Sequence, residues 1–232
     1  MSREIKKDLD ELYSYIGGYS TKNMLSDSRY VSFVSICQKR YYSFLTFIGE
    51  LEQYSNAGIS EEQYLFLKES CSDCGLSLFD ALHGNYKGAK LLMRSSIENF
   101  VKGYMYDVIP NITREKNVYA LFESVKQSYP FTESDIHPLY NRIHDIYKEL
   151  CAIVHTATKL QMSSMTAFSI FPYYEEKESR YISTRLIKLV DAYVTLLALK
   201  YNKEYHLFHF SNKGIINTSL LNQYKKKVQN IE

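Results

Sequence analysis

Four ionisable side chains in this chain sit where plain core packing has no need of them: Arg94, Glu98, Lys148 and His155. Arg94 and Glu98 are spaced i,i+4, so a helix through them puts both on one face, within pairing reach. Apolar residues flank them on the same line, Leu91 before and Val101 and Met105 after. A charge pair in such a seam is costly to bury unless it is satisfied. The plainer reading is a partly exposed helix ion pair, worth about 0.5 kcal/mol or less. A second line, His144, Lys148, Cys151 and His155, repeats at four, three and four. One helical face thereby presents two imidazoles, an ammonium and a thiol. His155 follows Ile153-Val154 near the expected helix end. A nearby cation such as Lys148 or Arg94 lowers an imidazole pKa and keeps it neutral, as a general base requires. The C-terminal helix dipole pushes the other way, and the plainer role for His155 is a helix cap.

Other chemistries find less support. Cys71-x-x-Cys74 is a single pair; zinc needs two more ligands, and His83 lies too far along the same helix to close a compact site. The strand-to-helix setting of a redox pair is missing too, so structural cysteines are expected, with no metal and no cofactor. There is no Gly-rich phosphate loop, no Gly-x-Ser-x-Gly and no His-Glu-x-x-His, which sets aside P-loop nucleotide hydrolysis and serine hydrolase chemistry.

The elements that must position these residues read as helices. All four prolines, and five of the nine glycines (Gly17, Gly18, Gly58, Gly84 and Gly214), fall at joints between periodic segments. The pattern predicts helices over 2–16, 27–55, 60–82, 86–107, 115–128, 133–158 and 178–202. Ser60 and Gln63 form a capping box opening the third, and Thr132 with Asp135 opens the sixth in a similar way. Residues 17–26 and 160–177 read as irregular connections. The alternation His206-Leu207-Phe208-His209-Phe210 predicts a short strand, and Lys225-Lys226-Lys227 a solvated helix end. The expected whole is one all-α domain over 1–232, with N-terminal helices to residue 58, a core over 59–202 and an extension over 203–232. A hydrophobic fraction of 45% supplies a sizeable core. No apolar run is long enough to predict a membrane span, and the charged start Met-Ser-Arg-Glu-Ile-Lys-Lys predicts no signal peptide, so free thiols in a cytoplasmic setting are expected. Twenty-two tyrosines without a tryptophan suit half-buried seams or a partner interface, unless they reflect compositional bias alone.

The segment Leu91-Leu92-Met93-Arg94-Ser95-Ser96-Ile97-Glu98-Asn99-Phe100, followed some fifty residues later by Tyr147-Lys148-Glu149-Leu150-Cys151-Ala152-Ile153-Val154-His155, resembles bacterial HEPN-like helical proteins. The resemblance covers roughly residues 60 to 200 in helix order and rests on these two short motifs. It implies a four- to five-helix bundle, a homodimer, a protein partner from the same operon and an RNA substrate. It also implies a place in phage defence or toxin–antitoxin systems. Many members are metal-independent ribonucleases, in which an Arg steadies the phosphate and a His moves the 2′-hydroxyl proton. Their signature puts four to six residues between the Arg and the His. Here that window holds Lys148, Glu149 and Leu150, so Arg94 from the other helix must supply the guanidinium. The alternative is a catalytically inactive binding or regulatory subunit acting through protein–protein contacts. A weaker reading, a nucleic-acid-binding helical protein, would use Lys87, Lys90, Lys102 and the Lys225–Lys227 run, although a net charge of +2 gives it little weight.

Overall fold

The computed structural model describes residues 3–53, 58–154, 167 and 170–230. Among them are ten α-helices and no strand, which makes the fold all-α. The helices are α1 (Arg3–Gly18), α2 (Ser28–Gln53), α3 (Glu61–Leu82), α4 (Tyr86–Tyr104), α5 (Val118–Lys126), α6 (His137–Val154), α7 (Glu176–Lys200), α8 (Asn202–Leu207), α9 (Phe210–Ile216) and α10 (Lys225–Gln229). Short 3₁₀ turns at Lys22–Ser26, Ile112–Arg114 and Asn222–Tyr224 lie between them. No helix among the described residues is long and apolar enough to cross a membrane.

Helix starts follow side-chain caps that satisfy orphan backbone donors. Ser60 accepts from the Gln63 amide at 3.1 Å, as the capping box predicts. Asn85 accepts from Gly88 at 3.1 Å, and Asn117 from Tyr119 at 3.0 Å. Between α3 and α4 the chain reverses through His83-Gly84-Asn85. Gly84 has φ +88, and a Cβ there would meet Tyr173 at 2.5 Å, so both conformation and space call for glycine.

The α3–α4 hairpin is the most extensive helix pairing, and small residues make it so. Ser70 and Ser96 share a hydrogen bond of 3.0 Å, Cys74 Sγ lies 3.1 Å from Ser96 Oγ, and Ser77 donates to the Ala89 carbonyl at 2.8 Å. Helices α2 and α7 pack together on this hairpin, and α6 lies against α4 and α7. Their meeting point is aromatic: Phe100 of α4 stacks on Tyr193 of α7 at 3.8 Å, and Phe44 of α2 tilts against Tyr193 at 5.5 Å. All three rings are fully buried, each worth about 1.5–3 kcal/mol in apolar burial. The connected core starts at Tyr30 in α2 and reaches Val228 in α10.

Two expectations are corrected. The sixth helix opens at His137 and not at 133, because Asp135 is engaged elsewhere: its carboxylate pairs with Lys227 at 3.0 Å and its carbonyl accepts from the Tyr224 hydroxyl. Pro138, in the first turn, lacks only a donor that has no helical partner there. The continuation predicted to 158 runs into residues outside those described, as does most of the connection predicted over 160–177. The strand predicted at His206–Phe210 is instead the joint between α8 and α9, with His209 capping α9 through the Ser211 amide. No strand among the described residues offers ladder partners, and only Phe208 of the alternating set is buried, Leu207 and Phe210 being exposed. The α1 stripe is likewise left uncovered at Tyr13 and Ile16.

Candidate functional site

Arg94 stands on α4 where that helix crosses α6. Its Nε donates to Glu98 Oε1 at 3.1 Å and to the Tyr147 hydroxyl at 3.3 Å, and that hydroxyl donates to the same Glu98 oxygen at 3.0 Å. Three side chains from two helices thus close a triangle. The Arg94 and Glu98 side chains keep 23% and 28% exposure, while Tyr147 is buried. The guanidinium carbon lies 5.5 Å from the Tyr147 ring centroid, a cation–π contact that adds to the hydrogen bonds. The predicted ion pair is therefore neither a loose surface pair nor a fully buried one.

The triangle uses only Nε. Nη1 and Nη2 make no hydrogen bond to another described residue, so the guanidinium keeps its forked edge for an anion. Burial works against the Arg94 charge, but the Tyr147 hydroxyl, Cys151 and Glu98 outweigh it and raise its pKa. The Tyr147 phenol is pushed above its ordinary value by burial first, then by its bond to the Cys151 thiol. Cys151 follows Tyr147 by one turn, on the α6 line that continues in the sequence to His155. His155 itself lies outside the described residues.

Lys148 is not brought to Arg94. One residue past Tyr147, it is turned about 100° round the helix, and its ammonium pairs with Asp145 at 2.8 Å on the exposed side. It still acts on His144, whose ring stacks on Phe122 at 4.8 Å. Burial first and the Lys148 charge second depress the His144 pKa. The same Phe122 ring packs against Tyr147 at 4.6 Å, so α5 braces the back of the triangle.

Cys71 and Cys74 are buried free thiols, and burial pushes Cys74 up to about 12, which suits packing and not nucleophilic chemistry. Among the described residues no group of three His, Cys, Asp or Glu side chains is placed to hold a metal. The lysines of the predicted basic surface disperse. Lys90 is buried against Glu178 at 2.5 Å and the Tyr181 ring at 5.0 Å, and Lys227 pairs with Asp135.

Tyr147 is the residue the sequence hid. By period it widens the apolar stripe of its helix, and only the crossing of α4 shows that its hydroxyl serves Arg94. Asp191 of α7 was hidden too; it lies 3.2 Å from Arg40 Nε. Compared with protein-family models, curated proteins and solved structures, the chain matches none.

Proposed function

We propose that the chain is a HEPN-like protein of bacterial phage defence or toxin–antitoxin systems, acting in the cytoplasm as a metal-independent endoribonuclease. The observation that carries this reading is the aimed and half-engaged Arg94. Glu98 and Tyr147 fix its Nε and leave Nη1 and Nη2 for a phosphate, and His155 follows in sequence just after the described end of α6. Arg94 holds the scissile phosphate and stabilises the charge that builds on it. His155 accepts the 2′-hydroxyl proton as the 2′-oxygen attacks phosphorus. The bond to the 5′-oxygen breaks, that oxygen takes a proton, and a 2′,3′-cyclic phosphate remains. Glu98 and Tyr147 are positioning residues. A homodimer and an operon-encoded protein partner belong to the same reading.

A second reading, an inactive HEPN-like binding or regulatory subunit, is favoured by Lys148. Its pairing with Asp145 on the exposed side leaves Arg94 as the lone cation of the triangle. The outward tyrosines Tyr119 and Tyr129 suit protein contacts. The discriminating experiment is incubation of purified protein with single-stranded RNA in EDTA, alone and with proteins encoded beside it. Cleavage in EDTA supports the nuclease. RNA that stays intact in every combination refutes it and leaves the binding subunit, for which His155→Ala keeps the cellular phenotype and Tyr119→Ala with Tyr129→Ala removes it.

A further inference from the structure

Beside the Arg94 triangle lies a cavity of about 530 Å³. Glu98 belongs to both. Lys102, two turns along α4 from Arg94 and about 12 Å further on, lines it from the same helix. Arg114, Glu115 and Lys116 line it from the segment before α5, over an apolar floor that includes Val118. Lys102 Nζ reaches the Thr113 carbonyl at 3.5 Å, tying the segment to α4. Arg114 also borders two further cavities of about 300 Å³ each, so three cavities meet at this side chain.

The charges in this cavity are not balanced internally. Glu98 already accepts from Arg94 and Tyr147, and Glu115 accepts from the Asn117 amide at 2.6 Å. Arg94 offsets the Glu98 charge, whereas Glu115 keeps its own charge against the three cations Lys102, Arg114 and Lys116. No described carboxylate pairs with Lys102, Arg114 or Lys116, and the last two are exposed. The positive end of α5 opens at the same place, behind its Asn117 cap. Cations over an apolar floor suit a chain of phosphates that carries bases: the cations hold the backbone, and the floor takes a flat apolar face.

The geometry points to a single-stranded RNA track that runs from Arg94 along α4 to Lys102 and into the Arg114–Lys116 cavity, holding the nucleotides next to the phosphate at Arg94. This rests on the reading of Arg94 as the phosphate-holding residue. Lys102, Arg114 and Lys116 are substrate-binding residues and take no part in the proton transfers.

The test is fluorescence anisotropy of a labelled single-stranded RNA oligomer carrying 2′-O-methyl groups, which the 2′-hydroxyl attack cannot cleave, with the full chain over a series of salt concentrations. The proteins compared are wild type, Arg114→Ala/Lys116→Ala, the charge-keeping Arg114→Lys, and Lys39→Ala on α2 as a cation outside the cavity. The expected result is about a tenfold loss of affinity for the double variant, and a salt slope shallower by roughly 1.4, the release from two single-strand phosphates. Arg114→Lys and Lys39→Ala keep the wild-type slope. Wild-type affinity and slope in the double variant overturn the track. So does an equal loss in Lys39→Ala, or a wild type that binds polyglutamate and not RNA. Cleavage is read separately, on unmodified RNA. Cavity-dependent binding without cleavage keeps the track and removes the nuclease, whereas cleavage with unchanged binding in the double variant keeps the nuclease and removes the track.

Discussion

Tyr147 holds the Arg94 triangle together from the α6 side. Its hydroxyl receives a bond from Arg94 and gives one to Glu98 from a buried ring. Tyr147→Phe deletes that hydroxyl and leaves the packing against Phe122. The expected loss is about 1 kcal/mol, a fall of roughly 2–4 °C in melting temperature for a chain of this size. Lys148→Ala, by contrast, removes one member of an exposed pair with Asp145. Its expected effect is within about 0.5 kcal/mol. Thermal melts of the two variants check both, and a Lys148→Ala loss as large as that of Tyr147→Phe contradicts the placement of the two side chains. Arg94 and Glu98 were legible as a pair from their spacing alone. Their third partner was not, because a tyrosine on an apolar stripe has the same period whether its hydroxyl faces solvent or a guanidinium.

At the scale of elements, the α3–α4 seam sets where Arg94 stands. Gly103 faces α3, and a Cβ there would meet the Leu67 side chain at 2.9 Å and its backbone nitrogen at 3.0 Å. Backbone cannot rotate away as a flexible side chain can. Gly103→Ala therefore loses more from overpacking, about 1–3 kcal/mol, than the roughly 1 kcal/mol it gains in helix propensity. Urea unfolding is expected to show net destabilisation, and a more stable variant contradicts the close approach. Helix order and most joints were readable in the sequence, because glycines, prolines and caps mark them locally: Ser60 with Gln63, and Gly84 at its positive φ. The failures share a cause. Asp135 reads as the capping-box partner of Thr132 until Lys227, ninety-two positions on, draws it into a tertiary pair. The alternating His206–Phe210 reads as a strand, but no described strand lies beside it to pair, and short helices form on either side. Local pattern cannot register a partner supplied by a distant part of the chain.

For the whole molecule, Asp191 reports on how the C-terminal segment is held. It sits on α7 with Arg40 of α2, Arg142 of α6 and Ser219 of the C-terminal segment around it. Arg40 also donates to the Thr218 carbonyl, and Ser43 meets Ser219, so α2 and the C-terminal segment are stitched together at this point. Burial raises the Asp191 pKa to about 6 against the pull of the two arginines. The folded state thus binds this proton more tightly than the unfolded chain does. The stability it contributes is full below about pH 4 and is lost as pH rises through about 6, roughly 3 kcal/mol at most. Asp191→Asn removes the titration, so the stability of wild type minus that of the variant should shrink between pH 4 and 7. A difference that stays flat or grows with pH contradicts the assigned environment. The central claim concerns the reaction, and its most direct measurement is the single-turnover rate of cleavage of a single-stranded RNA in EDTA by wild type, Arg94→Ala and His155→Ala, with the product ends identified. The expected result is wild-type cleavage leaving 2′,3′-cyclic phosphates, with each variant folded and slowed by about a hundredfold or more. Undiminished cleavage in either folded variant, or products without a cyclic phosphate, contradicts it.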